Sequence, residues 1–503
     1  MQRYIGRIRV LTAVCVLAAL IIIGRLYYLQ IMHGEAYARR ADAQFVSTQD
    51  PLLDRGTVYF TDKDGNQITA ATLNSVASST AGHQRYYPGG SLAAQEIGFV
   101  AYNNDNTQKG RYGLEKYYDQ VLARDDTYSN FFVELFGGVK TALQGGQSQG
   151  DIITTIEPSV QAELERTMVD YDKSWNPDLA GGVVMDPKTG EIVAMAVSPT
   201  FDLNSFGAQS DPLIYANPMV QNVYEMGSII KPLTMAAGLD SGAITEQTTY
   251  DDTGCITVNT KQICNYDFKA RGVIPMQQIL SQSLNVGASF IATTMGQATM
   301  RDYFLNHYDL NQETGIDLPG EVHGIVTNLN APQQVGYDTA SFGQGLAMTP
   351  IETVRALATL ANGGFLVTPH FVKAITYDTG VTRELGWGEP VPVLKPQTAT
   401  TVTRMLTVVA DDALAHGKDK LEHHSVAAKT GTAQIANPAG GGYYADRYLH
   451  SFFGYFPSYD ARFIVFLFAV YPKGAPYASE TWGPPFHQLV QFLINYYNIP
   501  PDR

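Results

Sequence analysis

The chain has 503 residues, 45% hydrophobic and 16% charged, a globular balance that excludes wholesale disorder and leaves room for roughly three domains. With 34 Lys and Arg against 48 Asp and Glu, the net charge is −14; an acidic surface disfavours phosphate, and no nucleic-acid partner is expected. Three cysteines are too few for a disulfide scaffold, and no internal repeat is visible.

In chain order, Val10 to Gly24 carry no charge, and with Arg25 snorkelling the apolar stretch continues to Leu29. That is about the ~20 residues needed to cross a bilayer. Arg3, Arg7 and Arg9 keep residues 1–9 cytoplasmic and place everything after the 10–29 span outside. No small-x-small site follows the apolar core, so an uncleaved single-pass anchor is expected rather than a signal peptide. Cys15 reads as a buried thiol within that span.

Residues 30–150 read as a turn-rich segment. Thr57 to Thr61 is a strand entering an Asp64-Gly65 turn, Tyr112 to Leu122 has helical apolar spacing, and Gly145 to Gly150 is a linker or turn. Asp151 to Ile156 alternates like a strand, and Glu157-Pro158 opens a helix through Leu164. Gly182 to Val197 is a buried hairpin around Pro187-Lys-Thr-Gly190. Leu346 to Leu360 reads as helix with Thr349-Pro350 at its start, and Phe452 to Val470 is a second apolar hairpin. Strands at both ends with helices between suggest one α/β domain over residues 151–503. Cys255 and Cys264 flank a stretch that alternates like a small hairpin; the compartment permits a bridge, and the sequence leaves it open.

Three short patterns carry the chemistry: Ser228-Ile-Ile-Lys231, Ser283-Leu-Asn285 and Lys429-Thr-Gly-Thr432. Each alone is weak; their order and surroundings carry the inference. Ser228 precedes a helical run, and residues i and i+3 share a helical face. A serine hydroxyl needs a base, and Lys231 serves only if neutral. Moving a lysine from ~10.4 to near 7 takes ~4.6 kcal/mol, which burial and a second cation can supply; Lys429 is the candidate cation. Ser283 can relay a proton, and Asn285 offers an amide donor and acceptor to a peptide. Lys429 to Gln434 reads as a strand whose Gly431 allows close approach of a ligand backbone, with hydroxyls and a cation for a carboxylate. Backbone N–H groups of Ser228 and Thr432 could form an oxyanion hole. Ser281 is a decoy without a following asparagine, Lys188-Thr-Gly190 reads as a structural turn, and His423-His424 lacks metal spacing; no metal or cofactor is expected.

These motifs resemble those of a class B penicillin-binding protein, a monofunctional peptidoglycan transpeptidase. The resemblance spans nearly the whole chain: the amino-terminal anchor, Arg55-Gly56, Asp64-Gly65, Tyr112-Gly-Leu-Glu115, Met185-Asp-Pro-Lys-Thr-Gly190, Tyr224 to Pro232, Thr314 to Glu321, Phe342-Gly-Gln-Gly345 and Lys429 to Gln434. Met226 stands where the family commonly has Pro, and Ala428 where it has Gly. The resemblance implies an α/β (α+β) fold with a central antiparallel sheet flanked by helices. It also implies a tail over 1–9, a transmembrane anchor over 10–29, a β-rich, dimerisation-like pedestal over 30–150 and a transpeptidase domain over 151–503. By the same resemblance Ser228 is the acylated nucleophile, Lys231 its base, Ser283 the proton shuttle and Asn285 the holder of the donor peptide. Lys429 supports the electrostatics, and Thr430, Gly431 and Thr432 bind substrate. Expected partners are peptidoglycan stem peptides, β-lactams, and a polytopic membrane glycosyltransferase with other wall-synthesis proteins. A β-lactamase or sensor, and a non-catalytic scaffold, are the competing readings.

Overall fold

The computed structural model of the chain describes residues 55–75, 83–102, 108–124, 149–417 and 420–503. The 1–9 tail, the 10–29 span with Cys15, and residues 145–148 of the glycine stretch lie outside the described residues. Among the described residues no helix is long and apolar enough to cross a membrane.

Two sheets organise the chain. In order, their strands are β1 (Val58–Thr61), β2 (Gln67–Ser75), β3 (His83–Tyr86), β4 (Gly150–Thr154), β5 (Leu179–Met185), β6 (Ile192–Ser198), β7 (Val372–Tyr377), β8 (Thr382–Glu384), β9 (Ala427–Ala436), β10 (Tyr443–Phe456) and β11 (Phe463–Val470). The helices used below are α1 (Pro158–Trp175), α2 (Lys231–Asp240), α3 (Met276–Ser281), α4 (Asn285–Met295), α5 (Pro350–Ala361), α6 (Pro396–Val408) and α7 (Ala478–Tyr497).

The larger core surrounds the wholly antiparallel sheet β9-β10-β11-β5-β6. Along β11, Ile464, Phe466 and Phe468 join the core that contains residues of α2 and α5. Val465, Leu467 and Ala469 join the core of α1 and α7. This period of two is what a strand covered on both faces requires, and it explains the near-continuous apolar run read from sequence. Trp482 of α7 stacks on Tyr171 of α1 with ring centres 3.7 Å apart, closing that helical layer. The mixed α/β class with a central antiparallel sheet between helices is borne out.

Helix boundaries differ from the sequence reading where caps decide them. α1 runs past Leu164 to Trp175 because Val160, Leu164, Met168 and Tyr171 keep one face buried. It starts at Pro158 with the Glu157 carboxylate accepting from the Val160 N–H, and stops at Asn176 in a left-handed conformation. α5 begins at Pro350 rather than Leu346, since Thr349 and Glu352 form a capping box. Ala347–Met348 pairs instead with Tyr224–Glu225, beside the Ser228 turn. Tyr112 to Leu122 divides into Gly113–Tyr117 and Asp119–Leu122, and the hydroxyl of the intervening Tyr118 donates to Asp317.

The second sheet, β8-β7-β4-β1-β2-β3, draws strands from both sides of residue 150. Its β1–β4 pair is parallel and its β4–β7 pair antiparallel. Asp317 fastens this region, accepting from Tyr118 Oη at 3.0 Å and from the backbone N–H groups of Phe371 and Val372 at 2.7 and 2.9 Å.

The two edges of the first sheet are treated differently. At β6, Gln161 of α1 covers Met195, donating to its carbonyl at 2.6 Å and accepting its N–H at 3.0 Å, which blocks further strand pairing. At the other end β9 pairs, among the described residues, only with β10. The outer edge of β9 is where the three motifs meet.

Candidate active site

Ser228 lies in a 3-10 turn, Gly227–Ile230, that runs directly into α2. It makes no capping hydrogen bond, so the helix-start role read from sequence is replaced by this tighter turn. Gly227 adopts φ 67°, and its N–H donates to Gly343 O at 3.1 Å. A Cβ on Gly343 would sit 2.2 Å from Gly227 O. The Phe342-Gly-Gln-Gly345 segment is therefore a backbone seat for the serine turn.

Lys231 opens α2 one turn later and is 1% exposed. Its Nζ lies 2.9 Å from Ser228 Oγ, 2.6 Å from Ser283 O, 3.2 Å from Ser283 Oγ and 2.8 Å from Asn285 Oδ1. Ser283 and Asn285 reach it from the junction between α3 and α4, where Ser283 has φ 54°. This strained, left-handed residue turns the chain so that both its carbonyl and its hydroxyl face the lysine. Lys429, on β9, is 2% exposed. Its Nζ donates to Ser283 Oγ at 3.1 Å and to Thr430 O at 2.9 Å. All five side chains singled out for chemistry thus converge. Ser281 does not: its Oγ accepts from Gln277 Nε2 within α3. Lys188 sits on an exposed turn, paired with Asp460, and His424 Nε2 contacts Ile499 O in a loop.

The hydrogen-bond partners of Lys231 accommodate a neutral amine. Ser283 O and Asn285 Oδ1 are acceptors only, so each must receive an N–H from Lys231. A neutral amine has two N–H bonds and one lone pair; with both given away, the lone pair faces the Ser228 hydroxyl. The electrostatics agree. Burial first, and the neighbouring Lys429 cation second, push Lys231 well below the usual lysine range. Burial brings Lys429 down to about 7. Two buried cations bridged by one hydroxyl cannot both stay charged at low cost.

Strand alternation sorts the third motif. Lys429 and Gly431 face the nucleophile, and Thr430 and Thr432 face the α7 side. A Cβ on Gly431 would lie 2.4 Å from Ser451 Oγ and 2.7 Å from Met226 O, so only glycine lets β9 close onto the serine turn. Ser451 Oγ donates to Met226 O at 2.8 Å in that space. Thr432 Oγ1 accepts the N–H of Ala478 at 3.1 Å. The backbones of residues 227 and 432 adjoin, since a Cβ on Gly227 would be 2.9 Å from Thr432 O.

Sequence reasoning left the Cys255–Cys264 bridge open and missed what it supports. Cys255 and Cys264 are joined by a disulfide and pair directly across the hairpin Cys255–Val258/Lys261–Cys264. Cys264 O accepts from Asn285 Nδ2 at 2.9 Å, so the stapled hairpin orients the asparagine. Ser451 and Ala478 were also missed. The only available signal was the polar pair His450-Ser451 directly before the apolar run Phe452 to Phe456.

Comparison with known proteins finds the chain similar to penicillin-binding transpeptidases. The sequence profile of the penicillin binding protein transpeptidase domain matches residues 180–491. The penicillin-binding protein PbpB of Mycolicibacterium smegmatis is 31% identical over 441 residues, 83% of this chain and 66% of that protein. Stage V sporulation protein D of Bacillus subtilis is 29% identical over 78% of this chain and 60% of its own length. The chain thus spans 60% to 66% of these curated relatives. The crystal structure of penicillin binding protein 3 from Mycobacterium tuberculosis superposes with a TM-score of 0.76 at 26% identity, covering 90% of this chain and 98% of that one. Its ampicillin complex gives 0.77 at 26% identity, covering 90% and 97%.

Proposed function

This chain belongs to the penicillin-binding protein transpeptidase family, and from that premise we propose that it is a peptidoglycan D,D-transpeptidase acting through a serine acyl-enzyme. One observation carries the reading: the Lys231 amine lies 2.9 Å from Ser228 Oγ, with Ser283 O and Asn285 Oδ1 placed to take its two N–H bonds.

Ser228 Oγ attacks the carbonyl between the two terminal D-alanines of a stem peptide as its proton passes to Lys231 Nζ. The backbone N–H groups of Ser228 and Thr432 receive the developing oxyanion. The C–N bond breaks and D-alanine leaves as the amine, protonated through Ser283, whose hydroxyl lies within 3.2 Å of both lysines. The amine of a second stem peptide then attacks the ester. It gives up a proton along the same relay and forms the cross-link, and Ser228 regains its own proton. Asn285 holds the donor peptide, and Thr430 and Thr432 bind its terminal carboxylate beside Lys429. A β-lactam acylates the same serine; the relatives crystallised with ampicillin and aztreonam support that reading.

The wider assignment follows the sequence. Residues 10–29 anchor the chain in the cell membrane with 1–9 in the cytoplasm, 30–150 form a pedestal, and 151–503 work outside the membrane. A polytopic glycosyltransferase is the expected membrane partner. The test is labelling with a fluorescent penicillin followed by mass spectrometry of the modified peptide. The expected adduct is on Ser228 and absent from Ser228→Ala; an adduct on another residue overturns the assignment. Release of label within seconds favours the β-lactamase reading instead.

A further inference from the structure

His450 and Ser451 are consecutive on β10 and face Thr432 and Gly431, respectively, across the ladder. Both are fully buried, and strand geometry sends their side chains to opposite faces of the sheet. On one face Ser451 Oγ holds Met226 O at 2.8 Å, two residues before Ser228. On the other, His450 Nδ1 lies 2.9 Å from Thr481 Oγ1 in the first turn of α7. The His450 carbonyl accepts from Trp482 Nε1 at 3.3 Å, a second tie to the same turn. That turn begins with Ala478, whose N–H occupies a lone pair of Thr432 Oγ1 at 3.1 Å. A hydroxyl has one proton and two lone pairs. With Ala478 donating into it, the Thr432 hydroxyl keeps its own proton for an outside acceptor.

We propose that His450-Ser451 is a positioning pair: Ser451 locates the nucleophile turn, and His450, through the first turn of α7, aims the Thr432 hydroxyl at the substrate carboxylate. One strand thereby sets the spacing between the atom that attacks and the group that holds the carboxylate. The inference rests on the transpeptidase reading of Thr432. Burial lowers the His450 imidazole to about 4, so it acts as a neutral hydrogen-bonding strut throughout the assay range.

The experiment compares acylation rate constants for a penicillin and for its methyl ester, which lacks the anionic carboxylate. His450→Phe is expected to cut the acid-to-ester preference about tenfold, the worth of one charge-assisted hydrogen bond, while ester acylation stays near that of the unaltered enzyme. His450→Gln, which can still reach Thr481, should restore the preference. Ser451→Ala should slow acid and ester alike by about tenfold and leave the preference intact. Should His450→Phe fail to fold, Ala478→Pro carries the same test. Proline is tolerated at the first helical position, Tyr477 before it is already extended, and the substitution removes only the donor to Thr432. Thr432→Val separates the two claims. If it keeps the acid preference, the carboxylate role of Thr432 fails and this proposal fails with it. If Thr432→Val loses the preference while His450→Phe and Ala478→Pro keep it, positioning through α7 alone is overturned.

Discussion

At the scale of single residues, the site depends on which amine holds a proton. Lys231 sits well below the ordinary lysine range and Lys429 at about 7. The roles proposed above need Lys231 neutral and Lys429 charged, so the two titrations bound the active window as one coupled pair. Acylation is expected to fall at low pH as Lys231 gains its proton, and to fall again above about 7 as Lys429 loses its charge. Lys429→Arg keeps a cation at every pH. Its lower activity should therefore show no falling limb on the alkaline side, which stopped-flow labelling across pH 5 to ~10 would read directly. A limb that persists in the arginine variant assigns it to another group. Of this geometry, the Ser228–Lys231 pairing was legible beforehand, because three residues make one helical turn whatever surrounds it. The depth of the lysine's burial was not, because the groups that bury it come from residues 283–285 and 429.

Among elements, the hairpin Cys255–Val258/Lys261–Cys264 has the clearest consequence. The sequence showed its alternation but not its bridge. Pairing depends on two Cβ atoms meeting, and here the direct Cys255–Cys264 register brings them together. Closing a loop with a sequence separation of 9 stabilises the fold by roughly 2–3 kcal/mol in the chain-entropy account. Because Cys264 O accepts from Asn285 Nδ2, the double variant Cys255→Ala/Cys264→Ala should lose stability in urea melts and also acylate more slowly. A variant that melts early but labels at the unaltered rate would show that the hairpin supports the fold and not the asparagine. Helix ends follow the same logic: Pro158 and Pro350 were visible start signals, whereas the stop of α1 at Asn176 depends on how far α1 packs along the sheet.

For the molecule as a whole, the unexpected feature is the sheet β8-β7-β4-β1-β2-β3, which joins strands more than 300 residues apart. Glu96 and Asp317 are among the buried carboxyls. Glu96, 1% exposed, takes a hydrogen bond from Asn217 Nδ2 at 2.9 Å, and burial raises it to about 8. Asp317 is raised to about 6 by the same cause. A carboxyl with a raised folded value binds its proton more tightly in the native state. Its contribution is complete below the unfolded value of ~4.3 and is lost as pH climbs towards about 8. Glu96→Gln removes that slope. Its melting temperature should match the unaltered protein near pH 5 and exceed it near pH 8; equal curves at both pH values would mean that Glu96 is ionised in the folded protein.

By itself the sequence determined what is local in the chain: the serine and lysine one turn apart, the strand carrying Lys429, the apolar hairpins of the central sheet and the proline-marked helix starts. Those follow from periods of 3.6 and 2 and from caps a few residues long. Only the tertiary structure decided that Ser283 O and Asn285 claim the two N–H bonds of Lys231, that Lys429 shares a hydroxyl with it, and that Ser451 and Ala478 stand behind the motifs. These contacts join residues up to 225 positions apart, and whether such groups meet is set by how sheets and helices pack around one core, which no short stretch of sequence encodes.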